Sequence, residues 1–133
     1  MPALFNFEVH TPYHLFFSGK AEAIVLTISD GEIGVYAHHS PFTAPVVTCI
    51  LKIKDDKGSW QSAFVTSGIL EVKDHKNVLI VDAAEWSHEI DKDRALASRD
   101  EAEKILKDSR LKFEIDKAKE KLRRAEYRLK LLA

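Results

Sequence analysis

The chain has 133 residues, of which 45% are hydrophobic and 31% are charged, a balance typical of a folded globular protein rather than a disordered one. A formal net charge of −1 argues against a general nucleic-acid binder, and no apolar run approaches the roughly 20 residues that a membrane-spanning helix needs. The first seven residues lack the basic and apolar segments of a secretory signal, and a single cysteine cannot form an internal disulfide, so we expect a cytoplasmic protein.

Short runs of β-branched and aromatic residues, separated by turn signals, dominate residues 1–84. Some of these runs alternate, as where Ile24, Leu26 and Ile28 share one face. The predicted strands are residues 4–9, 21–29, 33–36, 46–54, 59–66, 69–72 and 77–83. Many short strands with no helix between them predict an antiparallel β-sandwich or barrel, with Cys49 as a small hydrophobic residue in its core.

A change of composition near Glu85 predicts a second domain over residues 85–133. All five Gly and all four Pro lie at or before Gly68, and a long stretch without either residue favours helix. We predict a first helix over residues 92–107, because Asp91 is a good N-cap, and a break near residues 108–109.

The second predicted helix has the clearest periodicity of the chain, an unbroken heptad spacing of apolar residues. The positions are Leu111, Ile115, Ala118, Leu122, Ala125, Leu129 and Leu132. The alanines allow close approach of another helix, so an antiparallel helical hairpin is expected. Such a hairpin can be a stabilising appendage, or it can exchange one partner surface for another.

Charge is uneven between the two parts. Residues 1–84 carry 6 basic and 9 acidic residues, whereas residues 85–133 carry 14 and 12. From Arg110 onward there are 9 basic and 4 acidic residues. This excess of basic residues indicates either the solvated face of a helix or an arm that binds an acidic partner.

No catalytic constellation is present in the sequence: GxSxG, HExxH, P-loop and CxxC motifs are all absent. His38 and His39 are adjacent, and neighbouring residues on a strand point to opposite faces, so they are not expected to share a metal ion. The other histidines show no ligand spacing. We therefore predict a non-catalytic protein with no metal site and no required cofactor.

Two short segments combine residue types that could contact a ligand or partner. In residues 30–34, two glycines permit a tight hairpin that displays Glu32 at its tip, although an ordinary turn has the same signature. In residues 90–95, a helix start offers free N–H groups and Arg94 offers a guanidinium, which together suit phosphate. An ordinary N-cap explains this segment equally, and Asp91 opposes an anion.

Four motifs, taken in order, resemble the epsilon subunits of bacterial F-type ATP synthases. They are FxVxTP at residues 7–12, DGEIGVY with HSPF at residues 30–42, SGILEV at residues 67–72, and the strand of residues 78–85. The resemblance covers nearly the whole chain and implies a β-sandwich, a helical hairpin and no catalytic group. One departure is Ala37-His38, where the family usually has Pro-Gly. The alternative is a free-standing interaction or nucleotide-sensing domain outside an ATPase.

The resemblance also implies partners. Residues 1–84 would bind the gamma subunit and the c-subunit ring, coupling ion-driven rotation to ATP synthesis in the catalytic head. Residues 85–133 would regulate ATP hydrolysis by extending toward the catalytic beta (and alpha) subunits, where an acidic loop of beta suits the basic helix. The protein would lie at the cytoplasmic face of the bacterial plasma membrane, held there only through the complex. The implied ring contacts are Asp30, Gly31, Glu32 and His39.

Some members of this family bind ATP as a regulatory ligand on the folded hairpin. Their motif, Ile/Leu-Asp-x-x-Arg-Ala, is matched here by Ile90, Asp91, Arg94 and Ala95. Glu85 matches an upstream acidic residue. Strong binders carry a second arginine where this chain has Glu101, and Arg128 could replace it. The resemblance therefore implies weak ATP binding.

Overall fold

The computed structural model describes residues 2–133 and contains nine strands followed by two helices. The strands are β1 Phe5–His10, β2 Leu15–Ile28, β3 Gly31–Tyr36, β4 Phe42–Val46, β5 Cys49–Asp55, β6 Trp60–Val65, β7 Gly68–Lys73, β8 Lys76–Val81 and β9 Ala84–Trp86. A 3₁₀ turn, Ser87–Glu89, leads to helices α1 Lys92–Asp108 and α2 Lys112–Leu132. This architecture confirms the predicted β-sandwich followed by a helical hairpin.

The sheet runs in the order β1-β8-β7-β4-β2-β5-β6-β9, with β3 paired to β2 and β1 also paired to β2. Strand β2 joins both layers, since its first half pairs with β1 and its second half pairs with β3 and β5. Its register shifts between Ala21 and Ala23, and such an irregularity lets a strand bend from one layer into the other.

One pairing differs from the predicted all-antiparallel sheet, because β1 and β8 are parallel. Parallel neighbours need a long connection, and here most of the sandwich lies between them. Predicted strand 46–54 corresponds to β5, whereas β4 was not predicted except for its last residue, Val46, and Val47 and Thr48 connect the two strands. The three-residue strand β9 was missed, and it pairs with β6 across the expected boundary at residue 84.

The sandwich core consists of large apolar side chains from both layers. Phe7, Ile24, Leu51, Leu70 and Leu79 are all fully buried, and Cys49 is buried as predicted. Each fully buried side chain of this size contributes about 1.5–3 kcal/mol relative to exposure. The strands alternate between buried and exposed positions, as β1 does along its six residues, and this alternation gives the sandwich its single hydrophobic core.

The hairpin buries much smaller side chains. Its buried residues are Ala95 and Ala102 of α1 with Ala118 and Ala125 of α2. Ala118 and Ala125 belong to the heptad spacing predicted for the second helix, whereas Leu111, at the start of that spacing, precedes α2 and is exposed. Neither helix is both long enough and apolar enough to cross a membrane, within the described residues 2–133.

Candidate functional site

A small cleft lies where the end of the sandwich meets both helices. It has a volume of about 150 Å³, below the roughly 300–1,000 Å³ of typical small-molecule pockets. The lining residues are Glu85, Glu89, Ile90, Asp91, Arg94, Ala95, Ser98 and Arg128. All six residues predicted for ATP binding are therefore brought together, although they come from three elements and a connecting turn.

The chain reaches this cleft through strand β9 and the turn that follows it. Glu85 is paired with Phe64 of β6, which fixes its position at the edge of the sheet. Trp86 stacks on Phe16 at 4.5 Å between ring centroids, and its backbone N–H donates to Glu89 Oε1 at 2.8 Å. These contacts fix the conformation of the segment that connects β9 to α1.

Arg128 joins the hairpin to the sandwich inside the cleft. Its Nε and Nη2 donate to Glu85 Oε1 and Oε2 at 2.8 and 3.1 Å, a bidentate ion pair. Its guanidinium also lies 4.6 Å from the centre of the Phe64 ring. About a quarter of each charged side chain is exposed, so water screens the pair only partly. A phosphate that binds Arg128 must share it with Glu85.

The start of α1 presents Arg94 to the same cleft. The Asp91 side chain accepts a hydrogen bond from the Arg94 backbone N–H at 3.1 Å, so the predicted N-cap is present. Within residues 2–133, no acceptor lies within hydrogen-bond distance of the Arg94 guanidinium. Arg94 is therefore the cation of the cleft that an anion can reach without breaking an existing ion pair.

The electrostatic balance of the cleft limits how well it can hold an anion. Three carboxylates and two guanidinium groups line it. The Asp91 side chain already occupies one of the first-turn N–H groups that a phosphate would use. These features favour weak binding, because part of the attraction is offset by nearby negative charge.

Glu101, at the position where strong ATP binders carry a second arginine, does not line this cleft. It lies two helical turns beyond Arg94, outside the lining residues, and its carboxylate pairs with Lys121 Nζ at 2.9 Å. Ser98 lines the cleft instead. It was not predicted, although its position four residues after Arg94 places it on the same face of α1. This helical spacing would have been enough to predict it.

The four predicted ring contacts lie at the two ends of β3. Asp30, Gly31 and Glu32 are exposed at the turn between β2 and β3, where Gly31 has a φ of 130° that favours glycine. His39 follows the other end of β3, which is about 16 Å long at 3.3 Å per residue. The length of β3 separates His39 from Glu32 along the strand, and the contact of all four residues with the ring stays a prediction.

A row of apolar side chains crosses the outer face of one layer of the sandwich. Cross-strand pairs place Leu15, His10, Ile80, Ile69 and Pro45 in consecutive register over five strands. Leu15, Ile69 and Ile80 are each about half exposed, at 50%, 52% and 55%. Contiguous exposed apolar side chains mark interaction surfaces. This row was detectable in the sequence. Ile69 and Ile80 adjoin Leu70 and Leu79, and since neighbouring residues of a strand face opposite sides, the isoleucines lie opposite the buried leucines.

Two turns bring histidines together at another part of the surface. His38 follows β3, whereas Asp74 and His75 form the turn between β7 and β8. Their potential ligand atoms all lie within 4.8 Å of one another, and all three residues are exposed. The sequence analysis looked for ligand spacing between histidines that are near one another in the chain, so it missed a cluster in which His38 precedes Asp74 and His75 by 36 and 37 residues.

Comparison with known proteins places the chain in a family. The family model "ATP synthase, Delta/Epsilon chain, beta-sandwich domain" matches residues 4–87. The chain is 43% identical over 129 residues to an ATP synthase epsilon chain of Caldicellulosiruptor bescii, covering 97% of this chain and 93% of that one. It is 39% identical over 132 residues to the epsilon chain of Caldanaerobacter subterraneus, covering 98% and 95%.

A solved structure has the same fold over the whole chain. A chain in the Euglena gracilis mitochondrial ATP synthase structure, described as OSCP/F1/c-ring in rotational state 1, aligns with a TM-score of 0.86 at 19% identity. The alignment covers 100% of this chain and 84% of that chain. The identity is low, so this likeness supports the fold, whereas the close relatives carry the assignment. The chain belongs to the family of ATP synthase epsilon chains.

Proposed function

We propose that this chain is a non-catalytic subunit of the central stalk of an F-type ATP synthase, and that it couples ion-driven rotation of the c ring to the catalytic head. The observation that supports this role is the apolar row formed by Leu15, Ile80 and Ile69 on the outside of the sandwich. We propose that the gamma subunit covers this row. Association with the cytoplasmic face of the membrane then occurs only through the complex.

The test of this proposal is co-purification from detergent-solubilised membranes, with gamma identified by mass spectrometry. Ile69→Glu places a charge in the row and should abolish recovery of gamma, since a buried unpaired charge is costly. Lys52→Glu, at an exposed position of β5, is the matched control and should leave recovery unchanged. A chain that runs without gamma, or an Ile69→Glu variant that retains it, would contradict the proposal.

We propose that the exposed turn of Asp30, Gly31 and Glu32 contacts the c ring. Glu32→Lys should weaken coupling between ion flow and ATP synthesis in membrane vesicles while the subunit still assembles. His39→Ala tests whether the contact extends beyond the turn, because His39 lies at the other end of β3. Equal loss of coupling in both variants would contradict a contact confined to the turn.

The proposed regulatory role of the hairpin, α1 and α2, rests on how it is attached. Its buried side chains are alanines, and its polar links to the sandwich include Arg128–Glu85 and a 2.7 Å hydrogen bond from Thr48 Oγ1 to Glu120 Oε1. The helices contribute no large fully buried side chain of their own, although Phe64 of β6 loses the cover of Arg128 when the hairpin detaches. The hairpin can then extend toward the beta and alpha subunits and block ATP hydrolysis.

We further propose that ATP is a weak regulatory ligand of the cleft. The cleft contains residues of β9, α1 and α2, so a ligand that fills it binds only the folded hairpin. Such a ligand shifts the population toward the folded hairpin by its difference in affinity for the two states. Arg94 supplies the accessible positive charge. The guanidinium of Arg128 can also contact the phosphates if it binds them and Glu85 at the same time.

Calorimetry of ATP binding to the purified chain, without and then with Mg²⁺, tests this proposal. Arg94→Ala should abolish the heat, because the accessible cation is lost. Arg99→Ala is the matched control, since Arg99 is one turn away, pairs with Asp100 and lies outside the cleft. Strong binders carry an arginine at the position of Glu101, but Glu101→Arg should have less effect than Arg94→Ala, because Glu101 pairs with Lys121 and does not line the cleft. Binding that is indifferent to Arg94 would contradict an ATP site.

A further inference from the structure

We propose that His38, Asp74 and His75 form a binding site for a divalent transition-metal ion of the zinc class. The three side chains come from two separate turns and offer two imidazole nitrogens and one carboxylate. Such mixed nitrogen and oxygen ligands suit Zn²⁺, Ni²⁺ and Cu²⁺, whereas Mg²⁺ and Ca²⁺ prefer oxygen alone.

The spacing of the ligand atoms fits one ion. His75 Nε2 and Asp74 Oδ1 are 3.3 Å apart, close to the edge of a coordination tetrahedron with bonds of about 2.0–2.2 Å. The His38 and His75 rings are 5.6 Å apart in an edge-to-face arrangement. The three ligand atoms already lie within 4.8 Å of one another, so the site needs to contract by little more than 1 Å to reach the roughly 3.4 Å edge of such a tetrahedron.

The backbone gives a second reason to connect the two histidines. His38 and His75 have φ values of 65° and 64°, and they are the non-glycine residues of the described chain with positive φ. This left-handed conformation disfavours most L-residues, but histidine, like asparagine and aspartate, is enriched among the non-glycine residues that adopt it. Each turn therefore holds its histidine in a defined backbone conformation, and the two turns bring the potential ligand atoms of both rings close together.

The surrounding charges permit a cation. Lys73 and Lys76 flank the turn of Asp74 and His75, but each already has a carboxylate partner. Lys73 Nζ is 2.8 Å from Glu71, and Lys76 Nζ is 3.4 Å from Glu8. The Asp74 carboxylate contacts His75, itself a ligand. The site is open to solvent, so an ion can enter, and three protein ligands leave a coordination position for water.

The bound ion would tie the loop after β3 to the turn between β7 and β8. These segments are otherwise held mainly by strands that end before them. Occupancy should therefore raise the melting temperature of the sandwich. The site lies apart from the cleft at the hairpin, so its behaviour does not depend on the proposed stalk function.

The experiment is titration of the full chain with ZnCl₂, followed by calorimetry and by thermal unfolding. We expect one Zn²⁺ per chain and an increase in melting temperature. His38→Gly and His75→Gly should each weaken Zn²⁺ binding at least about tenfold, as losing even an outer contact of a metal site often does. Glycine suits the positive φ, so both variants should fold at least as well without metal.

His39→Ala is the matched control, because His39 adjoins His38 but its Nδ1 lies 2.8 Å from the Ser40 carbonyl outside the cluster. It should bind Zn²⁺ as the natural chain does. Asp74→Asn should weaken binding by removing the anionic ligand, and MgCl₂ should give no heat. Absence of Zn²⁺ binding, or equal binding by the His38→Gly, His75→Gly and His39→Ala variants, would overturn the proposal.

Discussion

The sandwich and the hairpin differ in composition and are also stabilised differently. The sandwich buries large side chains such as Phe7, Leu51 and Leu70, whereas the hairpin buries four alanines. Alanine permits close helix packing but removes little apolar surface from water. The comparison indicates that the sandwich is a permanent structure and that the hairpin depends on its docking surface.

The largest expected effect comes from truncating a side chain in each part. Leu70→Ala in the sandwich should lower the free energy of unfolding by about 2–5 kcal/mol, because the site is fully buried and leaves a cavity. Leu122→Ala in α2 is the counterpart and should cost less than about 1 kcal/mol, since that side chain is only half-buried. Urea unfolding followed by circular dichroism gives both values. Equal losses would contradict the distinction.

Removing the hairpin tests the same comparison more directly. A fragment of residues 1–89 keeps all nine strands and should unfold cooperatively. A fragment of residues 1–84 loses β9 and the stacking of Trp86 on Phe16, and should be about 1–3 kcal/mol less stable. Thermal unfolding of both fragments measures the difference, and an unfolded 1–89 fragment would show that the sandwich needs the hairpin.

The same deletion has a functional consequence for the assembled enzyme. If the hairpin restrains ATP hydrolysis, removing residues 90–133 should raise the hydrolysis rate, while gamma should still be recovered with the sandwich. The two measurements separate the regulatory role from the stalk role. An unchanged hydrolysis rate with gamma still bound would refute only the regulatory role.

A smaller effect is expected from the link between the two parts. Arg128→Ala removes the bidentate pair with Glu85 and the contact with the Phe64 ring. We expect the free energy of detaching the hairpin to fall by about 1–2 kcal/mol. This value lies between the contribution of an exposed ion pair and that of a hydrogen bond to a charged group. Limited trypsin cleavage within α2 should then be about tenfold faster. Arg99→Ala, whose partner Asp100 is in the same helix, should not change the rate.

Local patterns predicted most of the fold, because alternation and heptad spacing are properties of neighbouring residues. Asp91 was identified as a cap because its role depends on one hydrogen bond within the same turn. Features formed by distant residues were not predicted. The parallel pairing of β1 with β8, the cluster of His38 with His75, and the pairing of Glu101 with Lys121 all depend on the tertiary fold.

The candidate cleft was predicted for a different reason. Its residues were proposed from a sequence motif and a family resemblance. Both identify positions in the chain without using the distances between them in the folded structure. Arg128 was included only as a possible substitute for the second arginine, yet it makes a bidentate ion pair in the cleft, with Glu85. Ser98 and Glu89 were omitted because neither belongs to the motif, although both are near it in sequence.

The smallest expected effect concerns Cys49, which reports on the sandwich alone. The thiol is buried in β5, and burial raises its pKa because the thiolate is poorly solvated there. The thiolate is the reactive form, so a raised pKa lowers the fraction available at pH 8, and burial also blocks the reagent. Labelling by iodoacetamide should be slow in the folded chain and rapid in urea. The rate should be nearly the same for residues 1–89 and for the full chain, because detaching the hairpin leaves the sandwich closed. Fast labelling of the folded fragment would show that the hairpin helps to keep the sandwich core shut.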